Sequence, residues 1–206
     1  MHPDWLLEKS QLDNFSNGLD AWHVQQFKAG VVGHCAYNRQ AGAQLVQNPT
    51  DPDQLVLSLK NIPDIELVSS TQGALWNFPV GRSGILKTSI YLPAGSLGGV
   101  IALNDRWLAP IDDQVRSVAP FKLSIHPNGT IEGTSLTMAQ ETWYPLEISW
   151  SYDKESVSIT LGQNQATIAF NHTPVLPHGF SYLHLQSSLK PDENGFLFGP
   201  VSVQVD

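Results

Sequence analysis

The sequence predicts an all-β protein: two antiparallel sheets packed as a jelly-roll sandwich, with minimal helix. Three observations carry this. Short β-rich runs recur along the chain, divided by Gly, Pro, Asn and Asp. Several of them alternate apolar and polar residues with period two. No segment keeps helical periodicity for three turns, and 14 prolines with 16 glycines interrupt any long helix.

The elements follow in order. Residues 1–11 read as a short helical or irregular lead-in, with Asp4–Gln11 the best helical candidate. Leu55–Leu59 is the first clear strand, followed by Ala74–Val80, Ile85–Leu92, Val100–Asn104 and Phe121–His126. Leu146–Tyr152 and Ser156–Leu161 form a hairpin around Asp153-Lys154-Glu155, and Gln165–Phe170 follows through the Gly162-Gln163-Asn164 turn. Phe180–Gln186 and Val201–Val205 complete the series. In Phe121–His126 the odd positions are apolar. In Tyr182–Gln186 the leucines face one way, and Tyr182, His184 and Gln186 face the other. Such strands put one face on a core and leave the other open.

A length of 206 residues suits one large sandwich, so residues 1–206 read as a single domain and 48–54 as a loop within it. Hydrophobic content of 41% supports a real core. The net charge of −8, from 19 acidic and 11 basic residues, argues against a nucleic-acid partner. No stretch approaches the roughly 18 apolar residues of a membrane span. The lone Cys35 excludes an internal disulfide and reads as a small buried apolar residue. Seven scattered histidines show no zinc spacing. Met1-His2-Pro3-Asp4-Trp5 lacks the basic-then-apolar order of a signal peptide. An extracellular or periplasmic setting follows if the domain is excised from a secreted enzyme.

The opening Asp13-Asn14-Phe15-Ser16-Asn17-Gly18-Leu19-Asp20-Ala21-Trp22 and the closing Gly195-Phe196-Leu197-Phe198 leading into Val201–Val205 resemble the ends of concanavalin A-like or laminin G-like jelly-roll modules. The middle does too: Leu103-Asn104-Asp105-Arg106-Trp107, then Phe121–Ile125, Asn128-Gly129-Thr130 and Trp143-Tyr144-Pro145-Leu146. Such modules are attached to bacterial carbohydrate-active enzymes, sialidase-type proteins among them. The resemblance implies a lectin-like carbohydrate-binding domain, part of a larger multidomain protein, whose partner is a poly- or oligosaccharide. The acidic Glu-x-Asp-x-x-Glu strand of one jelly-roll hydrolase class is absent, and so is the Gln-x-His strand of one alginate-lyase class. Fold alone does not settle activity.

Two readings stay open. As a binding module, the domain holds a glycan on the polar face of one curved sheet or at loop tips. Asn77, Asn104, Arg106, Trp107, His126, Tyr182, His184 and Gln186 are the candidate contacts, with Lys122 and Ser124 on the same face. Planar polar side chains match pairs of sugar hydroxyls, aromatic faces match C–H patches, and Arg106 suits a carboxylate or sulfate. The same residues also fit an ordinary solvated face, with Arg106 paired to an Asp. As an enzyme, a lyase would use Arg106, His126, Tyr182 and His184 as charge neutraliser, base and acid. A hydrolase would need two carboxyls, and Glu147 with Asp105 is the only pair to name. Trp76 and Phe78 read as core, Asn77 as outward, and Trp22, Trp143 and Trp150 as structural. If the chain ends pair, Asp13 and Asp206, with Asn14 and Asp20, can meet around a structural calcium, which the jelly-roll resemblance also suggests.

Overall fold

The computed structural model describes residues 9–28, 36–38, 43–62, 72–109 and 115–206. Its strands are β1 (Ser10–Asp13), β2 (Trp22–Lys28), β3 (Ala36–Asn38), β4 (Ala43–Asn48), β5 (Asp51–Asn61), β6 (Gly73–Gly81), β7 (Ser83–Tyr91), β8 (Gly99–Asn104) and β9 (Phe121–Ile125). Then come β10 (Trp143–Ser151), β11 (Ser156–Leu161), β12 (Asn164–Ala169), β13 (Phe180–Ser187), β14 (Asp192–Phe198) and β15 (Val201–Val205). One helical turn, α1 (Val115–Val118), precedes β9.

Two antiparallel sheets form the sandwich. The larger runs β12-β11-β10-β7-β14-β5-β4, with β15 beside β7 and β1 beside β15. The smaller runs β3-β2-β6-β13-β8-β9. Period-two alternation sends one side of every strand inward. Leu57, Leu86, Ile148, Ile159, Phe198 and Val201 face in from the larger sheet, and Trp76, Ile101, Leu103, Leu123, Leu183 and Leu185 from the smaller. Between them runs a chain of aromatic rings. Phe15 contacts Trp22, which stacks on Trp76 at 6.0 Å; the contacts continue through Phe78, Trp150, Phe180, Tyr152 and Phe170.

The opening motif is a structural latch. Asp13 accepts hydrogen bonds from the Phe15 amide (2.8 Å) and the Trp22 indole (2.6 Å), while Phe15 is buried and Gly18 takes φ +69°. A carboxylate that satisfies both a turn and the indole fixes Trp22 against the core.

Strands β11 and β15 match the sequence reading residue for residue. Others differ for identifiable reasons. Ser10 and Gln11, read as lead-in or helix, stand in β1, because the edge of β15 offers them backbone partners; residues 1–8 of that reading lie outside the described residues. β2, β3, β4 and β14 were not expected. β14 begins Asp-Glu-Asn-Gly, which reads as a turn, yet a bulge between Asp192 and Phe196 keeps it paired with β5. Its Gly195 has φ +61°, and a Cβ there would stand 1.9 Å from the Leu59 carbonyl oxygen. Residues 48–51 make the turn between β4 and β5, with Asn48 Oδ1 accepting from the Thr50 amide and hydroxyl. Cys35 lies outside the described residues.

Candidate functional site

The outer side of the six-stranded sheet is where the sequence directs attention. Strand register sorts its residues into transverse rows. Asn77, Tyr182 and Asn104 stand side by side on β6, β13 and β8. The next row is His23, Leu75, His184, Ala102 and Lys122, and the next contains Gln186, Val100 and Ser124. The polar face therefore exists as one surface. At the first row, β6 carries extra residues where the register shifts. Pro79, which has no N–H to donate, sits in that irregularity, so Asn77 comes opposite Tyr182.

This face is not open, however, which corrects the sequence reading. His184 and Gln186 are 0% exposed and Asn104 is 1% exposed. The chain after β8 folds back over the sheet. Val115 and Ala119, with Leu108, pack on Val100 and Ala102. Arg116 donates to the Ser187 carbonyl, and Lys122 Nζ donates to the Arg116 carbonyl at 3.2 Å. Apolar Val100 and Ala102 on the outer face give this return segment something to bury. His184 and Gln186 thus belong to a second, buried layer instead of lining a groove.

The accessible part is the end of the sheet where β8 stops. Asn77 is exposed and Tyr182 half-buried. The Asn104 side chain is buried, and its Nδ2 has no hydrogen-bond partner among the described residues. The loop that follows is organised by Asp105. Its side chain is fully buried; Oδ1 lies 3.2 Å from Arg106 Nη1, and Oδ2 accepts from the Leu176 amide at 2.7 Å. One carboxylate thereby ties the 105–107 loop to the 174–178 loop. Trp107 is 52% exposed, with Val175 and Leu176 exposed on the partner loop. Beneath them Arg82 spans the Pro177 carbonyl (2.6 Å) and Asp153 (2.7 Å) and covers the Tyr152 ring.

The Tyr152 hydroxyl is buried with no hydrogen-bond partner among the described residues. Burial first, then the negative charge of Asp105, pushes its phenol well above the ordinary value of 10, against the opposing effect of Arg82. The folded state therefore holds this proton after the unfolded chain has lost its own, and stability falls as pH rises above 10. Tyr152→Phe should leave the neutral-pH melting temperature unchanged or raise it, since no hydrogen bond is lost. The variant should also lack part of the alkaline loss. A clear drop in melting temperature at pH 7 would contradict this reading.

The remaining candidates do not converge. His126 is exposed, but it follows Ile125, which pairs with Gly99 at the far end of β8. It stands on the order of 20 Å along the sheet from the Asn104 row. The lyase set of Arg106, His126, Tyr182 and His184 is thus split between two ends and a buried middle. The carboxyl pair fails as well: Glu147 lies outside the opposite sheet, 3.2 Å from Lys87, whereas the Asp105 side chain is buried and engaged by Arg106 and the Leu176 amide. Asp13 and Asp206 do not meet. β1 and β15 do pair, but antiparallel, so Asp13 sits opposite Val201 while Asp206 lies beyond the Ser10 end and accepts from Ser83. Asp13, Asn14 and Asp20 line a loop cavity of about 260 Å³. Both Asp13 oxygens are already engaged there, and no cluster of three metal-ligating side chains occurs among the described residues. A larger cavity of about 450 Å³, lined by Gln11, Leu12, Ile85 and Lys87 among others, lies outside the larger sheet and holds none of the candidates.

The sequence reading missed the 174–178 loop and the anchoring role of Asp105. The available signal was an apolar Val175-Leu176 between Pro174 and Pro177, a surface loop with side chains that polar loops lack.

No protein-family model matches the sequence, and no curated protein matches it. Solved structures do match. A sialidase superposes with a TM-score of 0.63 at 12% identity over 96% of this chain, which spans 18% of the sialidase. An acidic lectin of winged bean, solved with methyl-α-D-galactose, gives 0.55 at 11% identity, covering 94% of this chain and 97% of the lectin. The fold is a lectin-like jelly roll. A carbohydrate esterase from Shiga toxin-encoding bacteriophage phi24B shares this jelly roll, at 0.53 and 13% identity over 96% of this chain and 97% of its own. At such identities the likeness is one of fold, and the lectin-like sandwich must be read from its own side chains.

Proposed function

We propose that this lectin-like sandwich binds a glycan at the end of its six-stranded sheet, on Asn77, Tyr182, Asn104, Arg106 and Trp107. The observation that carries the reading is the buried Asn104 Nδ2 without a partner, beside half-buried Tyr182 and three residues before an exposed indole. A buried amide donor left unpaired costs stability, which favours an acceptor reaching it. Asn104 is as closed to solvent as His184 and Gln186, so a ligand engages its Nδ2 only where the neighbouring loop yields, and Asn77, Tyr182 and Trp107 are the accessible contacts. A sugar ring supplies hydroxyl acceptors for the amides and phenol and a C–H face for Trp107. Support for binding over catalysis comes from the separation of His126, His184 and Glu147 from this end. The sialidase, of which the chain spans 18%, supports a role as an attached module.

The test is a glycan array followed by affinity measurements on Asn104→Leu and Trp107→Ala. Asn104→Leu removes the unpaired donor at similar volume. It should leave the ligand-free melting temperature unchanged or higher while affinity falls about tenfold or more. Trp107→Ala should weaken binding with little change in stability, since the residue is half exposed. Unchanged affinity in both variants would move the site elsewhere.

A further inference from the structure

We infer that the site selects uncharged glycans and discriminates against uronates, sialates and sulfated sugars. The inference rests on the glycan-binding reading above and adds the ligand class. It follows from how the charges at this end are already committed.

Arg106 is the one cation among the proposed contacts, and Asp105 holds it at 3.2 Å. The Asp105 side chain is 0% exposed, whereas that of Arg106 is 31% exposed. An anionic sugar reaching Arg106 must therefore share its guanidinium with a carboxylate that water cannot reach. If Arg106 turned away to meet the ligand, Asp105 would be left buried with only the Leu176 amide. Uncovering a buried charge is among the costliest single changes a folded protein can undergo. If Arg106 stayed, the ligand anion would sit close to the Asp105 charge and be repelled.

The neighbouring cations stand beside carboxylates too. Arg82 is held by Asp153 at 2.7 Å and by the Pro177 carbonyl. Lys154 stands between Asp153 and Glu155 at the hairpin tip. Farther along the sheet, Lys122 lies 4.0 Å from Glu132 and bonds the Arg116 carbonyl. Among the described residues this end thus offers no net positive charge, and the chain as a whole carries −8. Its long-range field opposes a polyanion, most strongly at low salt. The accessible groups are neutral ones: the exposed Asn77, the half-buried Tyr182 and the Trp107 face. Hydroxyl groups can also take the guanidinium N–H groups of Arg106 that Asp105 leaves over, without displacing it.

The decisive experiment compares a neutral oligosaccharide panel (gluco-, galacto-, manno- and xylo-) with matched anionic counterparts such as oligogalacturonate, a sialylated oligosaccharide and a sulfated galactan. Isothermal titration is run from low salt to about 0.5 M. The expected result is a neutral ligand whose affinity is nearly insensitive to salt, with its carboxylated counterpart at least about tenfold weaker. Asp105→Asn, checked for folding by circular dichroism, should release Arg106 and narrow that gap; the salt series stands on its own if this variant does not fold. Equal or tighter binding of the carboxylated ligand, weakening as salt rises, would overturn the inference and leave glycan binding intact. Binding of no sugar from either class would overturn the glycan reading itself, and the inference with it.

Discussion

Replacing Trp76 with alanine is expected to cost about 3–5 kcal/mol, enough to lower the melting temperature by roughly 10 °C or more. Trp76 is 0% exposed and sits mid-way in the aromatic chain, stacked on Trp22 at 6.0 Å and 18° and tilted on Phe78 at 5.9 Å. Alanine removes the largest fully buried side chain from the interface between the sheets. Its neighbours are themselves rings, held by other rings, so they cannot collapse into the space. The loss therefore includes both the transfer energy and the cavity. Trp76→Phe should recover much of it. A urea titration of the three proteins checks this, and a Trp76→Ala loss below about 1 kcal/mol would mean that the packing is looser than described.

The second large effect is expected at Asp192. Its residue is 4% exposed, and its carboxylate accepts three backbone N–H groups: Leu97 at 2.7 Å, Asn194 at 3.0 Å and Gly195 at 2.9 Å. The acceptor fastens the start of β14 to the turn by which the chain leaves β7 and enters β8, so it joins two crossings of the sandwich. Asp192→Ala strands all three donors, and a loss of about 3 kcal/mol or more is expected, since each buried unpaired group costs on the order of 1–3 kcal/mol. Asp192→Asn retains an oxygen for Asn194 and Gly195 but turns an NH2 toward the Leu97 amide, so its loss should be smaller. Thermal melts in parallel decide it: equal losses in the two variants would mean that the Leu97 contact dominates.

Asp192 also shows where the sequence is hard to read. Asp192-Glu193-Asn194-Gly195 has the composition of an exposed turn, and nothing local reveals that the Asp is buried. By contrast, β11 and β15 alternate cleanly, and their bounds follow from that alternation alone. The side of Tyr182, His184 and Gln186 was legible for the same reason: period two separates them from Leu183 and Leu185. Whether that side meets water was not. Alternation says which residues miss the sandwich core, but cannot say that Val115 and Ala119, on a single helical turn with no periodicity of its own, will lie over Val100 and Ala102. The metal pair failed on direction. Pairing of the two end strands was foreseeable, but antiparallel pairing places Asp13 and Asp206 at opposite ends of one ladder. Asn104 and Tyr182 stand side by side because β8 and β13 pair in that register, and Arg106 follows in the loop that Asp105 anchors.

The ladder between β1 and β15 has a consequence for how the molecule is made. Ser10 pairs with Gln204, and β15 also supplies the partner for the first half of β7, from Gly84 to Lys87. A ribosome must therefore deliver residues 201–205 before a strand in the middle of the larger sheet is fully paired. Until then β7 presents a half-empty edge and β1 has no neighbour. Contacts this distant in sequence slow the search for the native topology, so closure of the sandwich is expected only once residues 201–205 have been delivered, on the millisecond-to-second scale of β-rich domains.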